Sequence, residues 1–396
     1  MASQPQPDYR IDLRPYRILF WPFLLPVALL LALYNKISPI PFKIYALRVE
    51  RVGQMAGNQE EICCAIDLGL YPKEFRVFIH RDHPSNSVLL EMQKRVLPIN
   101  NWFLPLFDIC HKLGGLGVSS MELHRITGYD TEKNTQRTKQ HLFFTQDEID
   151  EAECQCKELG IDTNKPFVPV LARDNSYLVH INEPTDMDNY RNVDIDTFIP
   201  AMEYLASSYK VIRMGSVVSQ KLKTKHPQIL DYSLSGKRSE LLDIYLSAKC
   251  SFFFSTGTGL DSIASCCFRL PVLYVNFLPV SAVPLFKPGS LFIPKKYWHV
   301  KEERYLKMSE LLDQIGFMCT PRELTPLGIV IHDNTHDEIL DATREMVARL
   351  DGSWTDTAED EKMQKQFWST FEKTGRLPYL GRIGTDFLKQ HPNWLE

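Results

Sequence analysis

The stretch with the clearest chemical potential is residues 250–262, CSFFFSTGTGLDS. An apolar run leads into a small, hydroxyl-rich turn that opens a helix. Gly257 and Gly259 allow a ligand to approach the backbone closely. The N–H groups and positive dipole at the start of the new helix suit a phosphate. Ser255, Thr256 and Thr258 add hydroxyl donors. The pattern is neither a Walker A loop nor a GxGxxG fingerprint, and an ordinary tight strand-to-helix turn has the same composition. What favours a diphosphate cradle is the next strand, 271–275, which brings Asn276 to its carboxyl end beside the same crevice.

Two arginines stand in equivalent places. Arg173 follows the apolar run 167–171, and Arg213 closes the run starting at Lys210. An arginine at a strand end can clamp a phosphate in bidentate fashion. Each can equally be a structural partner of a carboxylate, with Asp174 available to Arg173. A third candidate is the glycine-bearing turn 50–58, with Gly53, Gln54 and Gly57 as a candidate binding loop. Glu60 opens the helix behind it, and His80 ends the strand 75–80. Both are candidates for general acid–base work, although the dipole alone favours a carboxylate at Glu60 and a solvated polar turn explains His80. No HExxH, GxSxG or cysteine-rich metal pattern occurs, and the DxD-like Asp186, Met187 and Asp188 fall in a polar loop. The expectation is chemistry without a metal or other cofactor.

The elements around these residues alternate. Strands are expected at 42–49, 75–80, 167–171, 210–214, 251–254 and 271–275. Helices are expected at 59–68, 89–97, 197–207, 241–248, 258–268, 336–350 and 359–373. Strands separated by helices imply parallel sheets covered on both faces. The fold class is therefore α/β, with two Rossmann-like doubly wound domains. The expected division is a membrane-associating segment over 1–40, a first Rossmann-like domain over 41–160, a second over 161–350 and a helical extension over 351–396. The polar stretch 127–165 reads as interdomain.

Composition bounds the rest. With 396 residues, 44% hydrophobic and 24% charged, the chain can bury large cores. A net charge of −4 gives no nucleic-acid signature. Nine cysteines without metal-ligand spacing suggest reduced thiols in a cytoplasmic setting. Residues 18–34 form an uncharged apolar run, flanked by Arg10, Arg14, Arg17, Lys36 and Lys43. As a helix this run is about 25 Å long, short of the roughly 30 Å hydrocarbon core, and no signal-peptidase pattern follows it. A monotopic or re-entrant anchor is expected; a single span and a buried helix are the alternatives.

Several stretches together resemble a bacterial family of glycosyltransferases from surface-polysaccharide gene clusters. They are residues 51–60 (RVGQMAGNQE), 173–178 (RDNSYL), 190–192 (YRN), 211–215 (VIRMG), 254–259 (FSTGTG) and 381–388 (GRIGTDFL). One departure matters: the family carries Ile-Gly-His where this chain has Val52, Gly53 and Gln54, so a role for that histidine does not transfer. The resemblance implies a GT-B fold. In that fold the C-terminal domain holds the nucleotide-sugar donor, the N-terminal domain faces the acceptor, and the last helix packs back on the first domain. It implies sugar transfer to a glycolipid or polysaccharide acceptor at the cytoplasmic face of a membrane. A nucleotide-sugar epimerase and a non-catalytic membrane scaffold are the other readings.

Overall fold

Apolar runs bounded by turn residues become strands, and their neighbours decide which run pairs with which. A computed structural model describes residues 21–120, 134–176, 179, 189–280, 288–315, 320–372 and 381–396. The basic flank within residues 1–20, the stretch 121–133, Tyr177, Leu178 and the DxD-like Asp186, Met187 and Asp188 lie outside the described residues.

The N-terminal unit comprises α1 (Trp21–Ile37), β1 (Phe42–Leu47), α2 (Val52–Asp67), β2 (Phe75–His80), α3 (Ser87–Lys94), α4 (Leu104–Lys112) and β3 (Ser119–Ser120). Its strands form one parallel sheet in the order β2-β1-β3, with Phe42 opposite Phe75 and Leu47 opposite His80. α2 begins seven residues before the expected helix. Gly53, Gln54 and Gly57 therefore lie in its first turns and not in a loop. Glycine weakens a helix by about 1 kcal/mol relative to alanine, but α2 buries Met55, Ala56 and Ile62, and packing overrides that preference.

The supposed interdomain stretch contains α5 (Gln146–Glu158), opened by a capping box between Thr145 and Glu148. Only Ala152 and Cys156 of α5 are buried, which is why its periodicity reads weakly. Both join the C-terminal core, so α5 belongs with the second unit.

That unit continues with β4 (Phe167–Leu171), α6 (Ile199–Leu205), β5 (Lys210–Arg213), β6 (Ile229–Asp231), α7 (Glu240–Lys249), β7 (Phe253–Ser255), β8 (Val272–Phe277) and β9 (Leu291–Pro294). A small antiparallel sheet follows, from β10 (Lys296–His299), β11 (Arg304–Tyr305) and β12 (Ile329–His332). The chain ends through α8 (His336–Leu350), α9 (Ala358–Glu372), β13 (Arg382–Ile383) and α10 (Thr385–Gln390). The expected helix 258–268 is shorter: helical residues run from 261 to 267 and end in a π-helical turn, Ile263–Cys267.

The main sheet has seven parallel strands in the order β13-β9-β8-β7-β4-β5-β6. From β4 the chain builds outward through β5 and β6, then returns to lay β7, β8 and β9 on the other side. Every residue of β8 is buried, as a strand covered on both faces requires. The C-terminal extension departs from expectation. Phe367, Phe371, Ile383, Phe387, Leu388 and Trp394 enter the C-terminal core, and β13 pairs with β9. Its described part completes the seven-stranded sheet instead of packing back on the N-terminal unit. The units share a further core, in which Met55, Ala56 and Ile62 of α2 meet Ile244, Ile263 and Cys267.

Candidate functional site

In an open parallel sheet the crevice for a ligand lies where the strand order reverses, outside the carboxyl ends. Here the order reverses between β4 and β7. β4 runs on into Arg173, and β7 runs on into the turn of Ser255 to Gly259. The structure thus brings these two candidates together, and Arg173 N donates to Thr256 Oγ1 at 3.1 Å.

The turn is built around a buried carboxylate, Asp261. Ser255 Oγ donates to Asp261 Oδ2, Thr258 N donates to it at 2.7 Å, and Tyr274 OH reaches Oδ1 at 3.4 Å. Gly257 N donates to Ser255 Oγ at 3.1 Å, and Thr256 N donates to Leu171 O. The hydroxyls and amides expected to cradle a phosphate therefore bond within the fold. Burial pushes the Asp261 carboxyl up to about 6, against the hydrogen bonds from Ser255 and Thr258.

The glycines are needed for reasons other than ligand approach. Gly257 has φ +80°, and a Cβ there would sit 2.6 Å from the Phe277 ring. A Cβ on Gly259 would lie 2.7 Å from Gly53 N, and one on Gly53 would lie 2.8 Å from Gly259 Cα. The first turn of α2, just past β1, and the turn after β7 thus meet backbone to backbone, and the two parallel sheets face each other by their carboxyl ends. Gln54 sits beside this contact, and its shielded Oε1 has no hydrogen-bond partner among the described residues. Gly57 has open space around its Cα.

Residues unmarked as site candidates also converge here. Arg191 donates from Nη2 to Gly257 O. Lys295, buried just past β9, donates to the carbonyls of Tyr190 and Asn192, both at 2.9 Å, and pairs with Asp333 at 2.7 Å. Burial holds the Lys295 ammonium below the usual lysine range, and Asp333 opposes that. Lys295 thereby fixes the segment that carries Arg191. Asn276 is buried at φ +52°. It exchanges two 2.6 Å bonds with Asn334, while its Nδ2 lacks a partner among the described residues. Arginine beside a strand end was a usable signal at Arg173; for Arg191 and Lys295 only tertiary placement reveals it.

The remaining candidates lie elsewhere. Arg213 is buried between β5 and β6 and pairs with Asp231 at 3.1 Å, the carboxylate alternative realised with a different partner. Asp174 accepts from Ser176 N and Ser219. His80 is held by its neighbours, with Nδ1 2.9 Å from Asp82 O and Nε2 3.0 Å from Asn101 Nδ2. Glu60 is buried and pairs with Arg269 at 2.6 Å and His141 at 2.8 Å. Burial alone would lower the His141 pKa, but hydrogen bonds to Cys64 and Glu60 outweigh it and raise the value to about 10. The structure thus gives Glu60 and His80 separate surroundings. The eight described cysteines are free thiols.

No protein-family model matches the chain, and no curated protein matches it in sequence. Among solved structures, the chain is similar to a glycosyl transferase family 9 protein from Veillonella parvula, with 8% identity over 79% of this chain and 99% of that one and a TM-score of 0.47. It is similar to the ADP-heptose lps heptosyltransferase II of E. coli, with 12% identity over 78% and 100% and a TM-score of 0.42. It is also similar to the iron-containing dodecameric glycosyltransferase TibC of enterotoxigenic E. coli, with 13% identity over 80% and 78% and a TM-score of 0.37.

Proposed function

We propose that the protein is a glycosyltransferase of the GT-B type, moving a sugar from a nucleotide-sugar donor to a glycolipid or polysaccharide acceptor at a membrane surface. The observation that carries this reading is the reversal of strand order between β4 and β7, rimmed by Arg173 and Arg191 and faced by the carboxyl end of the N-terminal sheet. A nucleoside diphosphate fits such a place: two guanidinium groups offset the charge of the leaving diphosphate, and the facing unit is left for the acceptor. The turn from Ser255 to Gly259 shapes the backbone, and the arginines bind.

Each charged hydrogen bond is worth roughly 1.5–3 kcal/mol. Arg173→Ala or Arg191→Ala should therefore weaken nucleotide-sugar binding by about ten- to a hundredfold, measured by calorimetry on folded protein. Arg213→Ala should lower stability and leave affinity alone, because its guanidinium is committed to Asp231. Unchanged affinity in both crevice variants would place the donor elsewhere. Transfer is proposed to need no divalent cation in the assay; a rate that appears only with millimolar manganese would overturn that part. A non-catalytic scaffold is favoured by one observation, the internally bonded turn, and is excluded by measurable donor turnover.

We propose that the outer face of α1 docks on a membrane, at its cytoplasmic side. Phe23, Leu30 and Ile37 are 75%, 66% and 77% exposed, while Ala28 on the inner face is buried. No helix among the described residues is long and apolar enough to cross a membrane.

A further inference from the structure

We propose that Glu60, Cys64 and His141 form a site for a divalent transition metal of zinc type at the seam between the two units. Glu60 and Cys64 are four residues apart on α2, so the helical pitch stacks them on one face. His141 turns Nδ1 to within 2.8 Å of Glu60 Oε1, and Cys64 Sγ lies 3.8 Å from the same oxygen. One ligand atom from each residue lies within 4.8 Å of the other two. Metal bonds of about 2.0–2.3 Å place ligand atoms at comparable separations. Thiolate, imidazole and carboxylate together select zinc-like ions over magnesium or calcium.

The surroundings have the form of a metal site. His141 Nε2 lies 3.0 Å from Asp67 Oδ2, the carboxylate–imidazole arrangement that orients metal-binding histidines. Thr138 Oγ1 donates to Cys64 Sγ at 3.0 Å. An independent sign is Glu60 Oε2, a buried carboxylate oxygen with no hydrogen-bond partner among the described residues. Such an oxygen is costly to leave unmatched, and a bound cation would match it.

Arg269 is the apparent objection, since Nη2 lies 2.6 Å from Glu60 Oε1 and 3.4 Å from Cys64 Sγ. Its bond goes to Oε1 and leaves Oε2 open to an ion. Arg269 Nη1 is also buried without a partner among the described residues. It suits a water in the fourth metal position, whose oxygen would accept from it. The ion would join α2 to the segment around His141 and to Arg269 of the second unit. This role is structural and does not depend on the donor-site reading.

The test is a cobalt titration of the purified full chain after chelator treatment, with folding followed by circular dichroism. One equivalent of cobalt should produce a near-ultraviolet thiolate charge-transfer band, and zinc should displace it. Cys64→Ser should abolish the band, while Cys154→Ser, at an exposed cysteine, should keep it. Asp67→Asn should keep the band and weaken binding by about ten- to a hundredfold. Absence of the band in folded wild type, or its survival in Cys64→Ser, would overturn the proposal. If Cys64→Ser fails to fold, Asp67→Asn decides: unchanged cobalt affinity in that folded variant overturns the site.

Discussion

Small residues and hydroxyls after β7 read as a cradle, and the reason they are small proves to be the protein itself. Gly257 makes room for the Phe277 ring, Gly259 for Gly53, and the hydroxyls serve Asp261. The turn was legible because strand-to-helix turns have a local composition. What fills the space was not, because Gly53 and Gly259 are 206 residues apart in the chain. The same limit applies to Arg213, whose partner Asp231 comes from the neighbouring strand, and to Glu60, whose partner Arg269 comes from the other unit. Asp261 yields a prediction with a definite sign. Its folded pKa of about 6 lies above the ordinary aspartate value of 3.8. Its contribution to stability is therefore fully present below pH 4 and is lost as pH rises through 6. Urea unfolding of wild type and Asp261→Asn between pH 4 and 7.5 should show wild type losing ground to the variant as pH increases. A difference that stays constant across that window would contradict the shift.

Helices were harder to place than strands, for reasons specific to each. α2 starts early because packing tolerates its two glycines. α5 was hidden by a surface almost wholly polar. α1 was visible as an apolar run, but composition could not say which face meets protein. Ala28 packs in a core with Ile44, Ile79 and Phe107, while Phe23, Leu30, Leu33 and Ile37 point outward. Lys112 stacks over Trp21 at one end, and Lys36 lies exposed near the other. A helix held by its inner face can dock in the plane of a bilayer, with basic residues toward anionic headgroups. Deleting residues 1–40 would uncover the Ile44 and Phe107 core, so substitution is the cleaner probe. Phe23→Glu with Leu30→Glu should leave melting nearly unchanged and abolish flotation with anionic vesicles. Flotation equal to wild type would remove α1 as the docking element.

For the whole molecule, the alternation of strands and helices made the α/β class legible, but strand order was not. Short buried strands of similar composition carry little information about their neighbours. β13 shows this most plainly. Two residues of the terminal GRIG stretch, Arg382 and Ile383, lie against Leu291 and Phe292 and cover the edge of β9. All four residues of β9 are buried, and without this cover the strand would present an unpaired apolar edge. A chain ending at residue 380 should therefore associate, seen as high-mass species in light scattering; a stable monomer would contradict the capping role. The order of protein synthesis gives the feature a further meaning. β9 leaves the ribosome about ninety residues before the strand that covers it, so the nascent protein carries an open edge until β13 has emerged. Holdase chaperones that recognise extended apolar segments would have their window on this protein during that interval, and the docking of β13 would close it.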